Sequence, residues 1–171
     1  MKPLVLILLF LCLNVVGAAQ DLCVLESKTA PVLLNLKLQM SPEQAQSVLG
    51  RDLKIKIKKS GERTFFQNFI EKKAPQTLPG VRALYLRFFD RKLYQIEIFY
   101  ENRSDWRTLE DFTAHVSENL NLSASSWQTA KGRSEIKCAA VSLVADNVLN
   151  PRIEMTDEMI RARVEAIRQK K

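Results

Sequence analysis

Alternation of apolar and polar positions is clearest between Val81 and Tyr100, where Leu84, Leu86 and Phe88 repeat with period two and Tyr94, Ile96 and Ile98 do the same. Period two puts alternate side chains on one face, so the stretch predicts two antiparallel strands and a reversal. A two-residue turn at Asp90-Arg91 would set Leu86 against Gln95 and Leu84 against Glu97. A three-residue loop near Phe89–Lys92 instead sets the two apolar groups opposite each other, and that is the expected connection, because a one-residue slip flips every side chain. The other face then carries Ala83, Tyr85, Arg87, Gln95, Glu97 and Phe99.

Elsewhere the pattern changes period. Leu53-Lys54-Ile55-Lys56-Ile57-Lys58 alternates strictly and predicts a strand with one apolar face and one lysine face. An aromatic-rich strand follows over Thr64–Ile70. Trp127–Lys131, Ser134–Cys138 and Val141–Asp146 read as three more strands, with Ile136 opposite Leu143 across Ala139-Ala140. Helical spacing appears at Ala45, Val48 and Leu49, at Leu109, Phe112, Val116 and Leu120, and in a narrow stripe at Ile160, Val164 and Ile167. Ser41-Pro42-Glu43-Gln44 supplies an N-cap, a proline at the first helical position and a reciprocal cap, and Gly50 stands where that helix should end. Thr108 with Asp111 repeats the capping signal, and Thr156 is expected to cap the C-terminal helix. The expected fold is α+β: an antiparallel sheet, short helices packed on one face, and a C-terminal accessory helix. No internal repeat divides it. Residues 20–150 form the single domain and 151–171 a helical arm that either docks or projects.

The first nineteen residues change the picture of where the chain works. Lys2, the apolar run Leu4–Val16 and the small residues Gly17-Ala18-Ala19 form an export-signal pattern, which predicts cleavage near Ala19 and a periplasmic or secreted protein. The run is too short to span a bilayer comfortably. Cys12 leaves with the leader. Cys23 and Cys138 remain, an even pair that an oxidising compartment most simply joins as one disulfide; a reactive or metal-binding thiol pair is the alternative. Bridging residues so far apart would stabilise by roughly 4–5 kcal/mol on the chain-entropy account.

The formal net charge of +7 is unevenly placed. Basic residues crowd Arg51–Lys73, whereas Glu101–Glu118 is acidic. Lys54, Lys56 and Lys58 read either as an edge strand protected from aggregation or as a surface drawn to an acidic partner or an anionic membrane. No nucleic acid partner is expected of an exported chain.

Chemistry for catalysis does not assemble. His115 is the single histidine, five glycines form no phosphate loop, and Glu110-Asp111 is explained by the dipole of a first helical turn. No cofactor or metal site is expected, nor an enzyme. Tyr85, Arg87, Gln95, Glu97 and Phe99 combine aromatic, arginine and polar types on one sheet face, so they are the candidate partner-binding residues.

Leu36-Lys37-Leu38-Gln39-Met40-Ser41-Pro42-Glu43-Gln44-Ala45, ending in Leu49-Gly50, resembles the L-x-L-G-M-S/T-x-x-Q/E-V opening of the SmpA/OmlA (BamE-type) envelope proteins and the wider β-lactamase-inhibitor-like superfamily. It departs at Gln39, where glycine is usual, and lacks a lipidation cysteine. The resemblance implies helices set against an antiparallel sheet and action through protein contacts. Three classes of function follow: an interaction module of the bacterial cell envelope, an inhibitor or regulator of an exported enzyme, and a small-ligand carrier or enzyme.

Overall fold

Eight antiparallel strands lie side by side in the order β1-β2-β3-β4-β8-β7-β6-β5. The computed structural model describes residues 27, 29–50, 53–69, 78, 80–102, 106–147 and 150–170. The expected leader over residues 1–19 and Cys23 lie outside them. The strands are β1 (Lys56–Ile57), β2 (Arg63–Asn68), β3 (Val81–Phe89), β4 (Lys92–Tyr100), β5 (Gln128–Ala130), β6 (Arg133–Lys137), β7 (Val141–Asp146) and β8 (Arg152–Asp157). Helices α1 (Pro42–Leu49) and α2 (Leu109–Leu120) each precede four of them, and α3 (Glu158–Gln169) follows β8.

This order is a repeat. A helix and a four-strand meander occur twice, and a two-fold exchange maps each onto the other with β4 and β8 at the centre. Ile96, Glu97 and Ile98 face Met155, Glu154 and Ile153, so the seam reads Ile-Glu-Ile against Ile-Glu-Met. Both helices begin with a reciprocal capping box, at Ser41/Gln44 and Thr108/Asp111, and both end on a left-handed residue, Gly50 and Asn121. The repeat is one of topology within a single continuous sheet and does not divide the chain. The halves share topology, and their side chains have little in common beyond the caps.

The central hairpin sets Leu84 against Ile98 and Leu86 against Ile96, as the apolar pattern requires. The expected three-residue loop is not the means. Phe89 pairs with Lys92 around the two-residue turn Asp90-Arg91, whose φ values of 48° and 59° are those of a type I′ turn. The frame shift comes from a bulge: Arg87 pairs with Gln95 but Phe88 with Leu93, leaving Tyr94 as the extra residue.

One face of the sheet holds the main core. Leu84, Leu86, Phe88, Ile96 and Ile98 meet Leu143, Ala145, Ile153 and Met155, all buried. Phe112 and Val116 of α2, Ala45 and Leu49 of α1, and Leu33, Leu36 and Leu38 of the N-terminal segment pack over them. The helix α3 lies on the opposite face, where Ile160 and Val164 are buried with Phe89 and Tyr94, and Ile167 packs alongside. The arm thus docks. Its lead-in, β8, is a central strand, and the cap of α3 is Asp157, which accepts from the Ile160 amide at 3.0 Å. Thr156, expected as that cap, is buried within β8.

The edge strand is also shorter than its alternation implies. Only Lys56 and Ile57 pair with β2; Leu53 and Ile55 pack against the core, while Ile57 is 71% exposed. Cys138 is buried beside Val141 and is disulfide-bonded.

Candidate functional site

Directly opposed residues in an antiparallel ladder share a face, so the register places the expected site residues. Away from the core, Lys56, Thr64, Arg87, Gln95, Thr156 and Ser142 form one cross-strand row, and Phe66, Tyr85, Glu97, Glu154 and Val144 form the next. Phe99 and Arg152 open a third row. Tyr85, Arg87, Gln95, Glu97 and Phe99 therefore do stand on one face. They are not equally accessible.

The root of α3 closes the end of this face that holds the first row. Thr156 is fully buried there, and the Ser142 hydroxyl donates to the Glu158 carboxylate. Gln95, between Arg87 and Thr156, is 7% exposed, and Glu97 is 8% exposed. Both were expected as partner contacts, and burial removes them from that role. Glu97 has a structural one. The two-fold arrangement brings it opposite Glu154, and like charges directly opposed are destabilising. Arg152 answers this by donating to Glu97 at 2.6 Å and to Asp146 at 2.5 Å, with Glu154 at 3.7 Å. Burial pulls the Arg152 pKa down, but the bonds to Glu97 and Asp146 outweigh it and raise it.

Arg87 is turned inward as well. Its guanidinium sits 4.7 Å above the Tyr85 ring, and Nη1 lies 4.0 Å from Glu62. Glu62 has a fully buried side chain that accepts from the Tyr94 hydroxyl and from Arg168 of α3, each at 2.5 Å, with Lys58 at 3.4 Å. Burial alone would raise this carboxyl. The hydrogen bonds from Tyr94 and Arg168 and the charges of Lys58 and Arg168 win, and hold it below the ordinary value. This cluster pins the far end of α3 to the sheet.

What stays open is an aromatic patch. Phe66 is 59% exposed and meets the Tyr85 ring edge-on at 6.0 Å. Beside it a hollow of about 210 Å³ is lined by Phe66, Asn68, Arg82, Ala83, Phe99 and Asn150. Phe66 was not among the residues expected here, although a signal for it exists. Phe65 and Phe66 are adjacent in a strand, so one must turn away from the core. Lys54, Lys56 and Lys58 are all exposed at the neighbouring edge, with Lys56 in the row of Arg87.

His115 is exposed on α2, with its ring 4.8 Å from Trp106 and Nε2 3.0 Å from the Asn119 amide nitrogen. Among the described residues no three His, Cys, Asp or Glu side chains gather to hold a metal ion. Compared with known proteins, the chain matches no family profile, no curated protein and no solved structure.

Proposed function

We propose that this chain is an exported, non-enzymatic protein-interaction module of the bacterial cell envelope that binds its partner through the open end of the outer sheet face. The exposure of Phe66 beside Tyr85 and Phe99 carries the reading. Lone exposed aromatics are ordinary, but a cluster over a hollow is the form that binding anchors take. The partner is a protein that offers an apolar side chain to the Phe66–Phe99 hollow and acidic groups to Lys54 and Lys56, since complementary charge steers encounter while the apolar anchor holds the complex. Export rests on the leader pattern, and the envelope on the resemblance at residues 36–50. One detail supports that resemblance. Gln39, which stands where the family has glycine, adopts φ 71°, a conformation glycine takes without strain.

A photoreactive side chain at position 66 tests this in the envelope fraction of the source cells, with Lys131 at the far edge as the control position. One acidic protein is expected to cross-link from position 66 alone, and the purified pair should lose at least tenfold in affinity with Phe66→Asp. Adducts of equal yield from both positions would overturn it. So would salt-sensitive binding to anionic vesicles that is indifferent to Phe66→Asp, which would assign the lysine edge to a membrane.

A further inference from the structure

On the helical side, between α2 and the turn at Leu33–Leu36, lies a second cavity of about 270 Å³. One wall is a cluster of three aromatic rings. Tyr100 meets Trp106 edge-on at 5.4 Å and Phe112 at 5.9 Å, while Trp106 and Phe112 are 5.5 Å apart. Leu33, Val116 and Ile153 are among the aliphatic residues that also line it, and His115 and Asn119 of α2 stand at the side. No lysine, arginine, aspartate or glutamate is among the described residues that line it.

Two polar groups in this wall have capacity the fold does not use. Burial pushes the Tyr100 hydroxyl up to about 12 with no hydrogen bond contributing, and among the described residues that hydroxyl has no partner. Tyr100 is only half-buried and its hydroxyl keeps access to solvent, so water satisfies it in the free protein and a ligand that displaces this water must replace the bond. His115 is the second. The Asn119 amide donates to the His115 carbonyl at 2.8 Å and lies 3.0 Å from Nε2, where it can only donate. Nε2 therefore accepts, and Nδ1 carries the proton as a donor.

We propose that this cavity is a binding site for a small, neutral, flat aromatic molecule of about two fused rings bearing one hydroxyl or carbonyl group. Size sets the ring count, since a dry cavity of about 150 Å³ accepts a single benzene ring. The aromatic wall sets the ligand class, because Tyr100, Trp106 and Phe112 pack on one another and present an apolar ring surface to the cavity against which a further ring can lie. The lining is uncharged among the described residues, and this sets neutrality: an ionised ligand would lose its hydration and gain no counter-charge from them. The Tyr100 hydroxyl sets the polar substituent. The site faces away from the Phe66 patch and does not depend on the protein-binding reading.

Calorimetric titration of the full mature chain with 2-naphthol, naphthalene and naphthalene-2-sulfonate tests it. Saturable one-to-one binding of 2-naphthol is expected, with the sulfonate at least tenfold weaker. Tyr100→Phe removes an unpartnered group and should leave unfolding unchanged; it should weaken 2-naphthol about three- to tenfold and leave naphthalene as it was. Asn119→Trp places an indole at the exposed side of the cavity and should abolish both. No saturation by 2-naphthol in the wild type overturns the proposal. Equal affinity for naphthol and sulfonate, or binding that survives Asn119→Trp, overturns it too by placing the probe on the surface.

Discussion

The two halves of the sheet share a topology and divide the labour. In the first meander β3 and β4 run nine residues each and carry Phe88, Phe89, Tyr94, Phe99 and Tyr100. In the second, β7 and β8 run six residues each, and Ser134, Ser142 and Ala145 fill buried positions. The exchange pairs Leu84 with Leu143 but Leu86 with Ala145 and Tyr85 with Val144, because each faces the corresponding residue of the seam. The first half is therefore thick with aromatic side chains on both faces. It receives α3 and leaves Phe66 over. The second half is thinner and is held at the seam by the Arg152 cluster. A repeated backbone plan, then, does not make a repeated surface: side-chain volume decides which half can present an anchor.

The largest test removes the seam. Truncation after Asn150 deletes β8 with α3, exposing Ile96 and Ile98 on β4 and Leu143 on β7, and no cooperative unfolding transition should remain by circular dichroism. Truncation after Asp157 deletes only α3. The loss is then the burial of Ile160 and Val164, each about 1.5–3 kcal/mol, together with the Arg168–Glu62 pair, less the cost of ordering the helix. That shorter chain should still unfold cooperatively. If both truncations behave alike, the seam is not what joins the halves.

Leu84→Ala and Leu143→Ala come next. Both are fully buried at exchange-related positions, so each should cost roughly 2–5 kcal/mol in denaturant unfolding. A marginal effect at one of them would show that its half can collapse onto the cavity and that the cores are not equivalent.

Glu62 tests whether α3 belongs to the first half. Its folded pKa is depressed, so its contribution is complete above the unfolded value, about 4.3, and fades as pH falls through the lower folded value. Glu62→Gln keeps an acceptor for Tyr94 but breaks the pairs with Arg168 and Lys58, at roughly 1–3 kcal/mol near neutral pH. The gap in melting temperature between wild type and variant should therefore narrow from pH 6 to pH 3. A constant gap would mean that Glu62 is not the charged anchor of the helix.

The smallest effect compares two turns. Asp90-Arg91 and Lys131-Gly132 join their hairpins with left-handed residues at both positions, and only the second uses glycine. Arg91→Gly relieves a strain of roughly 1 kcal/mol and loses an exposed pair with Glu43 that is worth less. It should raise the melting temperature slightly, whereas Gly132→Arg should lower it by a similar amount.

The chain by itself determined whatever depends on neighbours a few residues away. Both capping boxes, the αL stop at Gly50, the α+β class and the Ile160–Val164–Ile167 stripe were legible because caps and amphipathic periods are local. The facing of Leu84 with Ile98 was legible as well, since a nine-residue alternation leaves one register that buries both sets. Tertiary structure decided the rest. Ile153 and Met155 alternate over too few residues to announce a strand; β8 forms because β4 and β7 each supply a ladder partner distant in sequence. The same pairing buries Glu97 against Arg152, and α3 covers Gln95, so a face that alternation marks as outward is half closed. The tight turn with a bulge at Tyr94 meets the same apolar demand as a longer loop, and only the docked helix, which needs Tyr94 beside Ile160 and beneath Glu62, separates the two solutions.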